Sequence, residues 1–301
     1  MSNIHGYFME PQNFSVNDGD GIRTIIFFAG CPLRCKWCAN PEGLENVHRI
    51  SFQVETCIGC GKCTQLCPKG CRTNLNLSEE RLKCISCGKC VEVCSTNSRK
   101  KLVKKYSVEQ IIKLVERQEI FYRYSGGGVT FSGGEATLQQ DVLRELVNIL
   151  YDKAINLAIE TSGYFEFEEI KDILKKLDLI FIDLKHMDDE KHKLFTGVSN
   201  EIILNNIKRL NEITENVVVR IPLIVGVNAD IENIIKTAKF VKSNIAKPKI
   251  ELLPYHIFGH EKYEALGIEK PSREFNRPTN EIIKELKELI ISEGIEVISF
   301  L

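Results

Sequence analysis

All twelve cysteines of this 301-residue chain fall between Cys31 and Cys94, and no residue after Cys94 is a cysteine. A disulfide framework would be spread over the fold it staples, so this clustering points to metal ligation in a compartment where thiols stay reduced. Two stretches, CIGCGKCTQLC and CISCGKCVEVC, are near copies, the second starting 27 positions after the first. Roughly Ser51 to Leu102 is made of such short pieces with few long apolar runs, too little to supply its own hydrophobic core. Inorganic clusters would have to form its centre.

The repeats read Cys57-x2-Cys60-x2-Cys63-x3-Cys67-Pro68 and Cys84-x2-Cys87-x2-Cys90-x3-Cys94. Such a run binds two 4Fe-4S clusters in bacterial ferredoxins, three close thiolates holding one cube and the fourth crossing to the other. On that pattern Cys57, Cys60, Cys63 and Cys94 hold one cluster, and Cys84, Cys87, Cys90 and Cys67 the second. Zinc knuckles are the bland alternative, but they need only two C-x2-C pairs and leave the additional cysteines of each half unexplained. Ser95 stands where the second run would carry proline, and Cys71 reads as a small buried apolar residue rather than a ligand. Upstream, Cys31-x3-Cys35-x2-Cys38 has a different spacing and no fourth cysteine. Three thiolates leave one iron of a cube open, and an open coordination position is where a substrate or cofactor binds. A third electron-transfer cluster completed by His5 or His48 is the alternative.

From Ser125 onward short apolar runs alternate with amphipathic stretches. GVTFS, INLAIET, LIFIDLK, VVVRIP and KIELLPY read as strands, and the sequences between them carry apolar residues at helical spacing. Continuous apolar strands alternating with helices imply an α/β fold with a parallel sheet. With IRTIIFFAG before the first cysteines there are six β/α steps, which predicts a partial (β/α)6 TIM-like barrel with an inserted bacterial-ferredoxin-like domain. The expected division is 1–49 for the first strand and the three-cysteine loop, 50–104 for the insert with two 4Fe-4S clusters, and 105–301 for the rest of the barrel. With 40 basic and 41 acidic residues no nucleic-acid partner is expected. The first residues lack a basic region followed by an apolar run, and no apolar stretch reaches the roughly 20 residues that span a bilayer. A cytoplasmic chain with no membrane partner is the expectation.

CxxxCxxC with an aromatic, Trp37, before its last cysteine resembles the radical S-adenosylmethionine (SAM) superfamily. NDGDGIRTIIFFAGC, GGGVTFSGGEATLQ, IETSG, FIDLKHMDDEKHKLFTGVSN and IELLPYHIFGHEKYEALG resemble one branch of it, the activating enzymes of glycyl radical enzymes, in their larger form with a two-cluster insert. The resemblance implies reductive cleavage of SAM to methionine and a 5'-deoxyadenosyl radical, which removes a Cα hydrogen from a glycine of a partner glycyl radical enzyme. It implies three 4Fe-4S clusters, SAM beside a monovalent cation (Na+ or K+), anaerobic operation and a flavodoxin or ferredoxin as electron donor.

By the same resemblance, Trp37, Gly133, Gly134, Glu135, Thr161, Lys185, Arg220 and His256 contact SAM. Glu135 would accept from its ammonium, Lys185 and Arg220 would neutralise its carboxylate, and His256 would touch the nucleoside. Glu160, Asp183, Thr161 and the backbone of Phe181 occupy positions that hold the cation. No side chain is assigned as acid or base, the chemistry being carried by the cluster on Cys31, Cys35 and Cys38. VNDGDGIR, flexible by composition, would border the groove for the partner's glycyl loop, making Asp18 and Arg23 candidate partner contacts. Two other readings are a radical SAM enzyme acting on a peptide or small molecule, and a three-cluster electron-transfer protein. Many peptide-modifying relatives carry auxiliary clusters in a C-terminal extension, and no cysteine follows Cys94 here, which argues against the first; the electron-transfer reading leaves SGGEA and LLPYH unexplained.

Overall fold

The computed structural model describes residues 4–272 and 274–300. Eleven strands among them form one mixed sheet: β1 (His5–Phe8), β2 (Gln12–Ser15), β3 (Arg23–Phe28), β4 (Arg49–Phe52), β5 (Arg99–Ser107), β6 (Gly128–Gly133), β7 (Asn156–Thr161), β8 (Leu179–Asp183), β9 (Val217–Leu223), β10 (Lys249–Pro254) and β11 (Glu296–Ile298). The order is β11-β10-β9-β8-β7-β6-β3-β1-β5-β4, with β2 paired to β3. From β3 through β11 every pair on this path is parallel, and β1, β2, β4 and β5 add antiparallel pairs at the other end. The six runs read as strands in the sequence are β3 and β6 to β10. β11 is a seventh parallel strand whose short EVI lacked the length to announce itself, and the antiparallel strands lie in segments without a long apolar run.

The parallel strands have two differently built faces, as the two-residue period of a strand allows. Val129, Phe131, Leu157, Ile159, Ile180, Ile182, Val217, Val219, Ile221 and Ile250 share one core with the helices. Helix Gln140–Asp152 buries Val142, Leu143, Leu146, Val147 and Leu150 there, and helix Glu201–Leu210 buries Ile203, Ile207 and Leu210, stripes of helical spacing. Asp188, Asp230 and Thr279 accept from a backbone N–H three residues on, fixing where three helices start. On the opposite face Ala158, Phe181 and Val218 pack together, with Leu179, Ile298 and Phe300 against them. Two residues further along each strand, Glu160, Asp183 and Arg220 take their place.

Between β4 and β5 the chain makes a long excursion with three short helices, Lys62–Gln65, Ser78–Lys83 and Lys89–Glu92. It departs after Phe52 and returns at Arg99, and these two residues face each other in the ladder. Its apolar centre is small: Ile50, Phe52, Cys71 and Leu75. Arg81 moors it to the rest of the chain, donating to Ile50 O within the segment's base and to Ala265 O at 2.8 Å on helix His260–Leu266.

The loop from Val16 to Ile22, flexible by composition, is pinned instead. Gly21 has φ +68°, and a Cβ there would lie 2.4 Å from the Gly127 backbone nitrogen. Ile22 N donates to Ser125 Oγ at 2.8 Å. Gly21→Ala therefore combines backbone strain with a collision against main chain, and an unfolding free energy lowered by about 1–3 kcal/mol is expected in urea titrations.

Candidate functional site

A cavity of about 490 Å³ opens where β6 to β10 end. Cys31, Cys35, Trp37 and Cys38 line one wall, and Ser132, Gly133, Gly134, Glu160, Thr161, Asp183, Lys185, Arg220, Glu251 and His256 line the others, with Asn17 and Asp18 beside them. This gathers in one place the residues expected around the three-cysteine loop, with Glu135, Phe181 and Arg23 as exceptions. Neither His5 nor His48 borders the cavity, and His48 Nδ1 lies 3.1 Å from Val103 O instead.

Backbone contacts hold the three-cysteine loop. Gly30 N donates to Gly43 O at 2.7 Å, Glu135 N to Gly30 O at 2.7 Å and Gly134 N to Phe28 O at 2.8 Å. A Cβ at Gly133 would lie 2.3 Å from Phe28 O, and one at Gly134 2.3 Å from Gly30 O. The two glycines are thus required by the closeness of β6's end to the loop. Arg34 N and Lys36 N donate to Thr196 O and Phe195 O, at 2.7 and 3.0 Å. On the far side Tyr263 Oη donates to Cys38 O at 2.7 Å. Trp37 packs among Ile224, Val227, Tyr255 and Phe275, so its ring is both a cavity wall and a core residue.

Burial pushes the Cys31 thiol up to about 12, the Cys35 thiol up to about 11, and the Cys38 thiol upward as well. In this pocket thiolates persist only when a metal holds them, which is the chemistry of an iron ligand set. Opposite them lies a chain of buried charge. Arg220 Nε donates to Glu251 at 2.7 Å, another of its nitrogens pairs with Glu160, and its guanidinium lies 3.6 Å from the centre of the Phe181 ring. Burial alone would lower the Arg220 pKa, but Glu160 and Glu251 hold it above the ordinary guanidinium value. Burial and the neighbouring Asp18 push the Glu160 carboxyl up to about 7 against the pull of Arg220. Lys185 Nζ lies 2.6 Å from Asp183; burial opposes its charge, yet Asp183 and the cysteines raise its pKa.

Several expectations change with this geometry. The Glu135 carboxylate does not face the cavity: fully buried, it accepts from Thr137, from Thr161 Oγ1 at 2.8 Å, and from Ser162 N at 2.8 Å and its hydroxyl. Its acceptor capacity is spent tying β6 to β7, which leaves only backbone at this motif to meet an ammonium. Phe181 does not line the cavity but lies beneath Arg220. The charges of Lys185 and Arg220 are already shared with Asp183, Glu160 and Glu251, so neither faces the cavity as a free cation. Arg23 is no surface contact: 1% exposed, it donates to Thr130 Oγ1 at 2.7 Å, Asn156 Oδ1 at 2.9 Å and Val129 O at 2.8 Å. Asp18 accepts from Ser15 and remains on the cavity. His256 is exposed at the rim, its ring stacked on Phe258 at 4.8 Å. Glu251 was missed, although an acid inside KIELLPY, in the same strand phase as Arg220 (their register partners), was the available signal.

The other nine cysteines lie in the excursion. Cys57, Cys60, Cys63 and Cys94 line one small cavity. Cys67, Cys84, Cys87 and Cys90 line a second, with Cys63 and Cys71 at its edge. Cys71 is 5% exposed among apolar residues. Among the described residues no three His, Cys, Asp or Glu side chains converge as a single metal ion would require, and no helix is long and apolar enough to cross a membrane.

The sequence profile of the radical SAM superfamily matches residues 25–238, and this chain belongs to that superfamily. Membership implies a 4Fe-4S cluster and SAM, and the donor set of Cys31, Cys35 and Cys38 fits the former. The chain is 42% identical to the trans-4-hydroxy-L-proline dehydratase activating enzyme of Clostridioides difficile, covering 92% of this chain and 93% of that protein. It is 38% identical to the 4-hydroxyphenylacetate decarboxylase activating enzyme of Clostridium scatologenes, covering 96% of each. A radical SAM methyltransferase from Sphaerobacter thermophilus aligns with a TM-score of 0.56 over 96% of this chain and 76% of that one at 15% identity, a likeness of fold alone.

Two outcomes test the supports of this site. Arg23→Gln removes a buried cation from four partners, Asp20, Val129, Thr130 and Asn156, and is expected to cost about 2–4 kcal/mol of unfolding free energy. His192 and His186 each keep a buried Nε2 without a hydrogen-bond partner, and burial holds both imidazoles below their ordinary 6.5. The unfolded chain therefore binds more protons below 6.5, and stability falls as pH drops through that range. His192→Gln should flatten the fall of the urea midpoint between pH 7 and 5.

Proposed function

We propose that this protein activates a glycyl radical enzyme. The observation that carries the reading is the meeting of Cys31, Cys35 and Cys38 with the ends of β6 to β10 around one cavity, in a chain whose relatives are activating enzymes over nearly their full length. The parallel run from β3 to β10 is read as a partial (β/α)6 TIM-like barrel, whose sites gather at the C-terminal ends of its strands. Cys31, Cys35 and Cys38 would hold the cluster that binds SAM, beside Trp37, the backbone of Gly133 and Gly134, Thr161, Lys185, Arg220 and His256. Glu160 and Asp183 would hold a monovalent cation there, their oxygens suiting a hard ion. Bound in this site, cluster and SAM supply a 5'-deoxyadenosyl radical that takes a Cα hydrogen from a glycine of the partner.

The chain's own work is to orient and to enclose. The Gly30–Glu135 and Gly30–Gly43 backbone bonds fix the cysteine loop against β6, and the aromatic packing around Trp37 keeps water from behind it. Asp18, which the pinned 16–22 loop presents to the cavity, is the remaining candidate contact for the partner's glycyl segment. Residues 50–104 are read as a ferredoxin-like insert whose two cysteine quartets hold two further 4Fe-4S clusters, with flavodoxin or ferredoxin as external donor.

Anaerobically reconstituted protein should contain about 12 iron atoms per chain. Its reduced paramagnetic spectrum should change on adding SAM, deoxyadenosine should form, and one glycyl radical enzyme should acquire a glycine-centred doublet. Cys35→Ala should lose the SAM response while keeping about 8 irons. An unchanged spectrum without deoxyadenosine would sink the reading.

A further inference from the structure

We infer that Arg99 is a shared electrostatic anchor for both cysteine quartets of the excursion, its buried positive charge raising the reduction potentials of the two clusters together. The inference rests on the reading of that segment as a two-cluster insert. Arg99 lines both quartet cavities and is the one arginine among the described residues to border either. It stands beside Cys84, Cys87 and Cys90 in one cavity and beside Cys57, Cys60 and Cys94 in the other, so one residue reaches cysteines of each quartet. The side chain is held in place: it donates to Thr73 O and Arg72 O and lies over the Phe52 ring at 5.0 Å.

Its charge is otherwise unanswered. Arg99 is 4% exposed and no ion pair to a carboxylate is found for it among the described residues. A buried cation without a counter-charge is costly, and a cube held by four thiolates is a net anion. Two such cubes, one on each side, would supply what the protein does not. The same charge favours the form of each cube that carries an extra electron, and hydrogen bonds to cluster sulfur act in the same direction. Lys62, Lys69 and Lys89 also border the cavities, but they are exposed and screened by water and salt.

The test is a potentiometric titration of reconstituted protein followed by paramagnetic resonance. Each cube takes one electron from dithionite, with no bond made or broken. Arg99→Gln at full iron content should change the reduced-to-oxidised ratio of both insert clusters at least tenfold at fixed potential, a downward shift of about 59 mV each for one electron. Arg99→Lys, which keeps the charge, should recover most of the shift, and Lys89→Gln should move neither potential measurably. Unchanged potentials in fully loaded Arg99→Gln overturn the inference, since a merely structural role would alter loading and stability instead. Should Arg99→Gln fail to load, wild-type protein carrying 15N-labelled arginine decides: nitrogen hyperfine coupling on both reduced insert clusters supports the inference and its absence overturns it. Wild-type protein with only about 4 irons per chain would overturn the insert reading itself, a result distinct from loaded clusters with unmoved potentials.

Discussion

The contact on which the rest of the site depends is the approach of one backbone to another at the end of β6. Gly133 and Gly134 bring that strand so close to Gly30 and Phe28 that any side chain would collide with a carbonyl oxygen. The closeness lets Glu135 N and Gly134 N bind the loop's root directly. Through it the three cysteines inherit the position of the sheet, and the cavity becomes a property of the strand ends rather than of a mobile loop. Precision of this kind matters most where reacting groups must be aligned.

A second constraint is the buried charge that lines the same strand ends. Glu160, Arg220 and Glu251 form a row across β7, β9 and β10, and Asp183 with Lys185 forms a neighbouring pair. Removing one member of a buried pair typically costs about 3–5 kcal/mol, because the survivor is left without its counter-charge. The site is therefore polar and rigid at once. A charged ligand entering it exchanges partners within an existing network and does not meet free ions.

Much of this was legible in the sequence because two of its codes are local. Cysteine spacing assigned the three-cysteine loop and the two quartets, and the apolar runs from Val129 to Leu253 announced the parallel strands. The face of each strand was less visible: Glu251 and Glu160 differ from solvated strand-end acids only by phase, which acquires meaning once the neighbouring strands are in register. Arg23 and Glu135 were misread for a related reason. Each sits in a motif suited to a ligand or partner, and only tertiary contacts reveal that Thr130, Asn156, Thr161 and Ser162 have already consumed their hydrogen-bonding capacity. Composition likewise made the Val16–Ile22 loop look loose, whereas Gly21 serves close packing against Gly127 and Gly19 lies against the Arg23 side chain.

The rung formed by Phe52 and Arg99 has an evolutionary meaning. Because the excursion leaves and re-enters at residues facing each other in one ladder, the gap it must span is the width of a strand pair. A short turn would close the same hairpin, and β5 would keep β1 and β4 as neighbours. Closing a longer connection at a fixed gap costs little more entropy than closing a shorter one. The segment can therefore be gained, exchanged or discarded as a cassette in a lineage without redrawing the sheet, provided that whatever replaces it also tolerates the loss of Arg81's tie to helix His260–Leu266.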